Sequence, residues 1–97
     1  MGYRSKIKDK QVDYLFKAIL SLKDLEECYR FFEDICTINE IKSLAQRLEV
    51  AIMLEQKKTY QEIVEKTGAS TATISRVNRS LTYGSDGYKL ILERILD

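Results

Sequence analysis

The sequence predicts an all-α protein, and three of its properties support that fold class. Apolar residues recur at intervals of three and four along almost the whole chain, which is the period of an α-helix. The alternation of apolar and polar residues that is typical of β-strands is absent. Proline is also absent, so the helices must end at glycines and polar caps. A chain of 97 residues is expected to form a single domain over residues 1–97.

Six helices are predicted from this spacing. In order, they cover about residues 6–22, 25–35, 38–56, 60–66, 71–81 and 87–96. Asp24, Thr37 and Thr59 each precede a Glu by three residues, a pattern that predicts capping boxes at the second, third and fourth helices. Gly68 is expected to end the fourth helix, and Ser70 is expected to begin the fifth.

The first helix is apolar over much of its circumference. Its large and small apolar residues are Tyr14, Leu15, Phe16, Ala18, Ile19, Leu20 and Leu22. A helix that is apolar on several sides must be buried on several sides, which a chain this small cannot achieve alone. The sequence therefore predicts a homodimer in which the first three helices interleave.

The net charge of +1 conceals an uneven distribution of charge. Residues 1–23 have an excess of four positive charges, residues 24–56 an excess of five negative charges, and residues 57–83 an excess of three positive charges. A local basic excess favours binding to phosphates. The alternative explanation is a solvated charged surface without a partner.

Several classes of function are disfavoured by composition. The chain has no histidine and no glycine-rich phosphate loop, and neither Cys28 nor Cys36 has an evident base to activate it. We therefore expect no enzymatic activity, no metal site and no resident cofactor. No apolar run is long enough to span a membrane, and no secretory signal is evident, so a cytoplasmic protein is expected.

Residues 59–81 have the pattern of a helix-turn-helix. Gly68 is placed where the turn needs a left-handed backbone, and Ala69 is small enough for the two helices to approach each other. Ile74, Val77 and Leu81 form the inward stripe of the second helix. A plain helical hairpin is the alternative, because any two helices joined at a glycine share part of this pattern.

The outward face of the second helix favours DNA. It carries Thr71, Ala72, Ser75, Arg76 and Arg79, so it is small and polar at its tip and basic further along. Small side chains let a helix approach base edges in the major groove, and cations beside them contact phosphates. The sequence thus predicts a DNA-binding transcriptional regulator with double-stranded DNA as its partner. A helical protein-interaction module, formed by the apolar first helices and the acidic segment, is the alternative.

Two segments resemble the Trp repressor family. The residues at 72–76, Ala-Thr-Ile-Ser-Arg, followed by Asn78 and Ser80-Leu81, resemble the recognition helix of that family. The residues at 37–40, Thr-Ile-Asn-Glu, followed by residues 44–48, Leu-Ala-Gln-Arg-Leu, resemble its third helix and the approach to it. The resemblance covers about residues 36–96 and is strongest to Trp-repressor-like regulators of Gram-positive bacteria. It implies an intertwined dimer, a six-helix fold and a transcriptional regulator, usually a repressor.

The resemblance also implies which residues would contact DNA. Gln61 stands where the family has a basic residue, and Lys57 and Lys58 offer replacement charge nearby. Together with the outward face, the predicted DNA-binding residues are Lys58, Gln61, Ser70, Thr71, Ala72, Thr73, Ser75, Arg76 and Arg79.

A ligand pocket is the last implication of the resemblance. The family holds tryptophan between two arginines, with a Thr and a Ser at its polar groups. The matching residues here are Thr37, Arg47, Arg76 and Ser80. Val77 replaces a small glycine of the family and would intrude on a space the size of an indole. An amino-acid-responsive repressor with a tryptophan-type ligand therefore stays an alternative, beside a smaller amino-acid corepressor or no ligand.

Overall fold

The computed structural model describes residues 2–96, and within that range every regular element is an α-helix. The helices are α1 (Lys10–Leu20), α2 (Leu25–Ile35), α3 (Ile38–Glu55), α4 (Tyr60–Thr67), α5 (Thr71–Tyr83) and α6 (Gly87–Ile95). The predicted all-α fold with six helices is thus confirmed. The chain divides into two compact units, one that ends at Thr37 and one that begins at Ile38.

The first unit contains α1 and α2, and α1 begins four residues later than the sequence predicted. The carboxylate of Asp9 accepts a hydrogen bond from the backbone N–H of Val12 at 2.7 Å, so Asp9 is the N-cap. Upstream, the Ser5 hydroxyl accepts from the N–H of Ile7 at 3.0 Å and holds a turn instead of helix. The predicted start at residue 6 was therefore wrong, because this local hydrogen bond competes with the helix.

The second helix begins as its capping residues predicted. Asp24 accepts from the N–H of Glu27 at 2.9 Å, and the Glu27 carboxylate in turn accepts from the N–H of Lys23 at 2.8 Å. The Glu27 carboxylate thus bonds to Lys23, the residue before the N-cap, and not to the N–H of Asp24 as in a capping box. No residue of α1 or α2 is buried, and many of their apolar side chains are exposed, among them Tyr14, Leu20 and Leu25 at 78%, 83% and 77%.

The second unit contains the buried core. Val50 and Ala51 of α3, Ile63 of α4 and Ile74 of α5 are completely buried. Helix α3 packs against α4, α5 and α6, so it is the helix that all three shorter helices contact. Burying a Val or an Ile side chain contributes about 1.5–3 kcal/mol, so this core holds α4 and α5 against α3.

None of the helices within residues 2–96 is both long enough and apolar enough to cross a membrane.

Candidate nucleic-acid interface

Helix α4 starts with a complete capping box. The Thr59 hydroxyl accepts from the N–H of Glu62 at 3.1 Å, and the Glu62 carboxylate accepts from the N–H of Thr59 at 2.9 Å. The hydrogen bond from the Thr59 backbone, then that from its hydroxyl, lowers the pKa of Glu62 below its ordinary value of 4.5. The Glu62 carboxylate thus satisfies the N–H of the N-cap Thr59, and the Thr59 hydroxyl satisfies the N–H of Glu62 in the first turn of the helix.

Gly68 ends α4 in the left-handed conformation that the sequence predicted. Its φ is 73°, and its N–H donates to the Val64 carbonyl. The Thr67 hydroxyl donates to the Ile63 carbonyl at 2.8 Å and accepts from the N–H of Ala69 at 3.1 Å. Since these bonds fix both sides of the glycine, the angle between α4 and α5 is set by the backbone of the turn.

Helix α5 begins at the predicted cap. The Ser70 hydroxyl accepts from the N–H of Thr73 and donates to the Thr73 side-chain oxygen, both at 3.1 Å. Ala69 is only 2% exposed, so the turn packs against the core just before α5. This anchoring leaves the first residues of α5 projecting beyond the core.

The outward face of α5 is exposed and carries no acidic residue. Thr71, Ala72, Ser75 and Arg79 are all exposed, whereas Ile74 and Val77 on the opposite face are buried. The first turn therefore presents only hydroxyls and methyl groups, with a guanidinium two turns further along. Such a helix end can enter a major groove without steric or electrostatic hindrance.

The other residues predicted to contact DNA flank this face. Ser70 and Arg76 are exposed and Thr73 is half-buried on α5, while Lys58 and Gln61 are exposed at the start of α4. Helix α4 also contacts α5 through a side-chain hydrogen bond, in which the Asn78 amide donates to the Tyr60 hydroxyl at 3.4 Å. Eight of the nine predicted residues are thus exposed on α4 and α5 or just before them, and Thr73 is half-buried.

Lys57, which directly precedes Lys58, has a left-handed backbone conformation with a φ of 65°. Its N–H donates to the Leu54 carbonyl, and that of Lys58 donates to the Met53 carbonyl, each at 3.0 Å. These bonds end α3 and direct the chain into α4. Neither lysine forms an ion pair among residues 2–96, and the charge of Lys58 helps to lower the pKa of Glu62.

A cavity of about 250 Å³ lies in the second unit between α3 and α5. It is lined by Ser43, Gln46 and Arg47 of α3, by Thr73, Arg76, Val77 and Ser80 of α5, and by Tyr88 of α6. Four of the five residues predicted for a ligand pocket therefore share one cavity. The fifth, Thr37, is the last residue of the first unit.

The sequence and the fold have counterparts among known proteins. The family model of the Trp repressor protein matches residues 10–96, which includes all six helices. The chain belongs to the Trp repressor family. Members of this family are regulators rather than enzymes.

Three individual proteins are similar to this chain. YerC of Bacillus subtilis, described as uncharacterized, is 66% identical over 90 residues, which are 93% of this chain and 86% of YerC. A TrpR-like protein from Eubacterium eligens has a crystal structure that matches with a TM-score of 0.90 at 68% identity over 93% of each chain. A candidate Trp repressor from Staphylococcus aureus matches with a TM-score of 0.89 at 57% identity, over 93% of this chain and 90% of that one.

Four of the cavity-lining residues were not predicted as pocket residues. Ser43 and Gln46 lie on the same face of α3 as Arg47, and Thr73 lies one turn before Arg76 and Val77. Helical spacing alone could have found these three. Tyr88 reaches the cavity from α6, which follows α5 after a turn. Nothing in the sequence around Tyr88 predicts that it lines the cavity.

Proposed function

We propose that this chain is a sequence-specific DNA-binding transcriptional regulator, and by its kinship a repressor, that reads DNA with α5 in the major groove. The observation that carries the proposal is the exposed face at the tip of α5, where Thr71, Ala72 and Ser75 offer neither bulk nor negative charge. A regulator that acts on bacterial DNA would work in the cytoplasm.

The proposed mechanism divides the contacts between bases and phosphates. Thr71, Ala72 and Ser75 approach the base edges, where hydroxyls donate or accept hydrogen bonds and methyl groups contact thymine. Lys58 and Arg79 flank them and contact phosphates, which fixes the orientation of α5 without reading sequence. The capped turn at Gly68 keeps this geometry constant between the free and bound protein.

We further propose that the active species is a homodimer. The apolar side chains that α1 and α2 leave exposed need a cover, and a second copy of the chain supplies a matching surface. Two copies would present two recognition helices to half-sites one DNA turn apart. Sedimentation at micromolar concentration should give about twice the chain mass of 11.3 kDa, and only the single-chain mass would contradict the dimer.

The first experiment identifies a binding site. Genomic fragments are selected with the purified protein, and the affinity for the best fragment is measured at several salt concentrations. The logarithm of the association constant should fall linearly with the logarithm of salt, by about 0.9 for each phosphate contacted. If no fragment is enriched over bulk DNA, the proposal of specific binding fails.

A pair of variants tests the phosphate contact. Arg79→Ala should weaken binding to all fragments alike and reduce the salt slope by about 1. Arg94→Ala is the matched control, because Arg94 is exposed on α6 and lies outside the helix-turn-helix. Equal effects of the two substitutions would contradict the placement of Arg79 at a phosphate.

A further inference from the structure

The carbonyl of Thr67, at the end of α4, has its hydrogen-bond partner on a different helix. The last four carbonyls of an α-helix have no amide partner within that helix, so each needs another donor. For Thr67 the donor is the side-chain amide of Gln46 on α3, whose nitrogen donates to the carbonyl at 3.1 Å. The bond is partly buried, so removing the amide would leave a carbonyl that is partly shielded from water.

The other hydrogen bonds of this turn fix its shape but not its place on α3. The N–H of Gly68 donates to the Val64 carbonyl at 2.9 Å, and the N–H of Ala69 donates to the Thr67 hydroxyl at 3.1 Å. All of these groups belong to α4 or to the turn that follows it. The bond from Gln46, in contrast, joins the turn to α3.

Apolar packing also holds α4 and α5 against α3, but it constrains their orientation less sharply. Burial of apolar surface is non-directional, whereas a hydrogen bond has a narrow range of distance and angle. The Thr67 carbonyl lies only four residues before Thr71, the first residue of α5. Since the turn between them is fixed by its own bonds, a displacement of this carbonyl also displaces the tip of α5. A binding site needs its groups held within about 0.5 Å.

We propose that Gln46 is a positioning residue for DNA recognition, and that its bond to Thr67 holds the tip of α5 in the orientation that meets base edges. The inference rests on the proposed function and deepens it. Gln46 contacts no base in this account, because it acts through the turn between α4 and α5.

The chemistry of the bond requires a donor at position 46. A carbonyl oxygen only accepts hydrogen bonds, so the amide nitrogen of Gln46 must face it. An ionised glutamate has nearly the same shape but only accepts, and methionine has a similar length but no donor. These two substitutions therefore remove the bond while they keep most of the packing.

Loss of the bond should affect specific and non-specific binding differently. Contacts to base edges need close placement, whereas the attraction between cations and phosphates tolerates displacement. A net hydrogen bond favours one orientation by a factor of about two to twelve in population. The dissociation constant rises in inverse proportion to the competent fraction, so we expect about five-fold weaker binding to a selected DNA fragment.

Amide hydrogen exchange without DNA tests the bond itself. In Gln46→Met, the amides of Gly68 and Ala69 should exchange about five-fold faster than in the wild type, because the turn opens locally more often. The amide of Leu90, which donates to the Asp86 carbonyl at the start of α6, is the internal reference and should change little. Unchanged exchange at the turn, or an equal change at Leu90, would overturn the proposal.

Fluorescence anisotropy then compares a selected DNA fragment with a scrambled one. The buffer contains no amino acids, so a ligand in the cavity beside Gln46 cannot contribute. Gln46→Met should raise the dissociation constant for the selected fragment about five-fold and leave that for the scrambled fragment unchanged. Gln46→Glu should lose preference as well, although it also adds a negative charge. A wild-type preference in folded Gln46→Met would overturn the proposal.

A core variant separates positioning from a general loss of stability. Leu92→Val removes one methylene group from a side chain on α6 that is 4% exposed, so it should lower the thermal midpoint. Because it leaves the bond between Gln46 and Thr67 in place, its DNA preference should equal that of the wild type at a temperature where both are folded. An equal loss of preference in Leu92→Val and Gln46→Met would overturn the positioning role.

The two measurements also separate this inference from the proposed function. If the wild type itself does not prefer the selected fragment, the proposed function fails, and hydrogen exchange still decides whether Gln46 holds the turn. If the wild type prefers that fragment and Gln46→Met prefers it equally, the proposed function stands and the role of Gln46 is refuted.

Discussion

Replacing Gly68 by alanine should destabilise the protein for a purely conformational reason. Gly68 has a φ of 73°, and a Cβ built on it would meet no atom within 4 Å. No steric clash therefore contributes, and the cost is that of holding an L-residue in the left-handed region, about 1–2 kcal/mol. Alanine also restricts the unfolded chain, which offsets about 0.4–1 kcal/mol. The expected net loss in the free energy of unfolding is about 1 kcal/mol.

Urea denaturation followed by circular dichroism measures this loss. With a slope of about 2 kcal/mol/M, the midpoint should fall by roughly 0.5 M at a fixed protein concentration. Gly68→Asn should lose less, because asparagine tolerates the left-handed region better than alanine does. Gly87→Ala is the matched control, since it also has open space around its Cβ but no positive φ, and it should not lower the midpoint.

The reasoning would be refuted if Gly68→Ala had the midpoint of the wild type, or if Gly68→Asn were no better than Gly68→Ala. A folded Gly68→Ala protein should also keep most of its DNA affinity, because the turn accepts the added methyl group without moving.

Two further predictions follow from the core and from the cap of α4. Ile74→Ala removes a completely buried side chain and should cost about 2–5 kcal/mol in a thermal melt, whereas Ile7→Ala, at a position 62% exposed, should change stability little; equal losses would contradict the assigned core. The pKa of Glu62 is lowered by its bonds to Thr59, so its contribution to stability is present above pH 4.5 and is lost as the pH falls through the lowered folded value. Glu62→Gln should flatten that part of the acid-unfolding curve, and an unchanged curve would show that the bonds do not contribute.

Local signals in the sequence predicted most of the helix ends. Where a capping residue or a glycine defines an end, as at Asp24, Thr59 and Gly68, the predicted and observed bounds agree closely. The start of α1 was mispredicted because Ser5 holds a turn that the apolar spacing does not reveal. Helix α5 runs two residues further than predicted, to Tyr83, because Gly84 ends it with an N–H bond to the Ser80 carbonyl.

The candidate site was predictable to the extent that it lies on single helices. The exposed face of α5 follows from the inward positions of Ile74 and Val77, which periodicity identifies. The cavity depends on the packing of α3 against α5 and α6, and only the resemblance to the Trp repressor family brought Arg47 and Arg76 together in advance. Tyr88 shows why the rest was missed, since its approach is decided by tertiary packing.

The central claim, that the tip of α5 reads bases, is tested most directly by a ratio of affinities. The dissociation constants for a selected fragment and for a scrambled one are measured for the wild type, for Ala72→Phe and for Thr82→Phe. The last is the matched control, because Thr82 is also exposed on α5 but lies in its last turn.

The wild type and Thr82→Phe should prefer the selected fragment by about 10³ or more. Ala72→Phe, which blocks the approach to base edges, should bring the ratio close to one while retaining binding to bulk DNA. A preference that survives unchanged in Ala72→Phe would contradict the claim that this helix end reads the sequence.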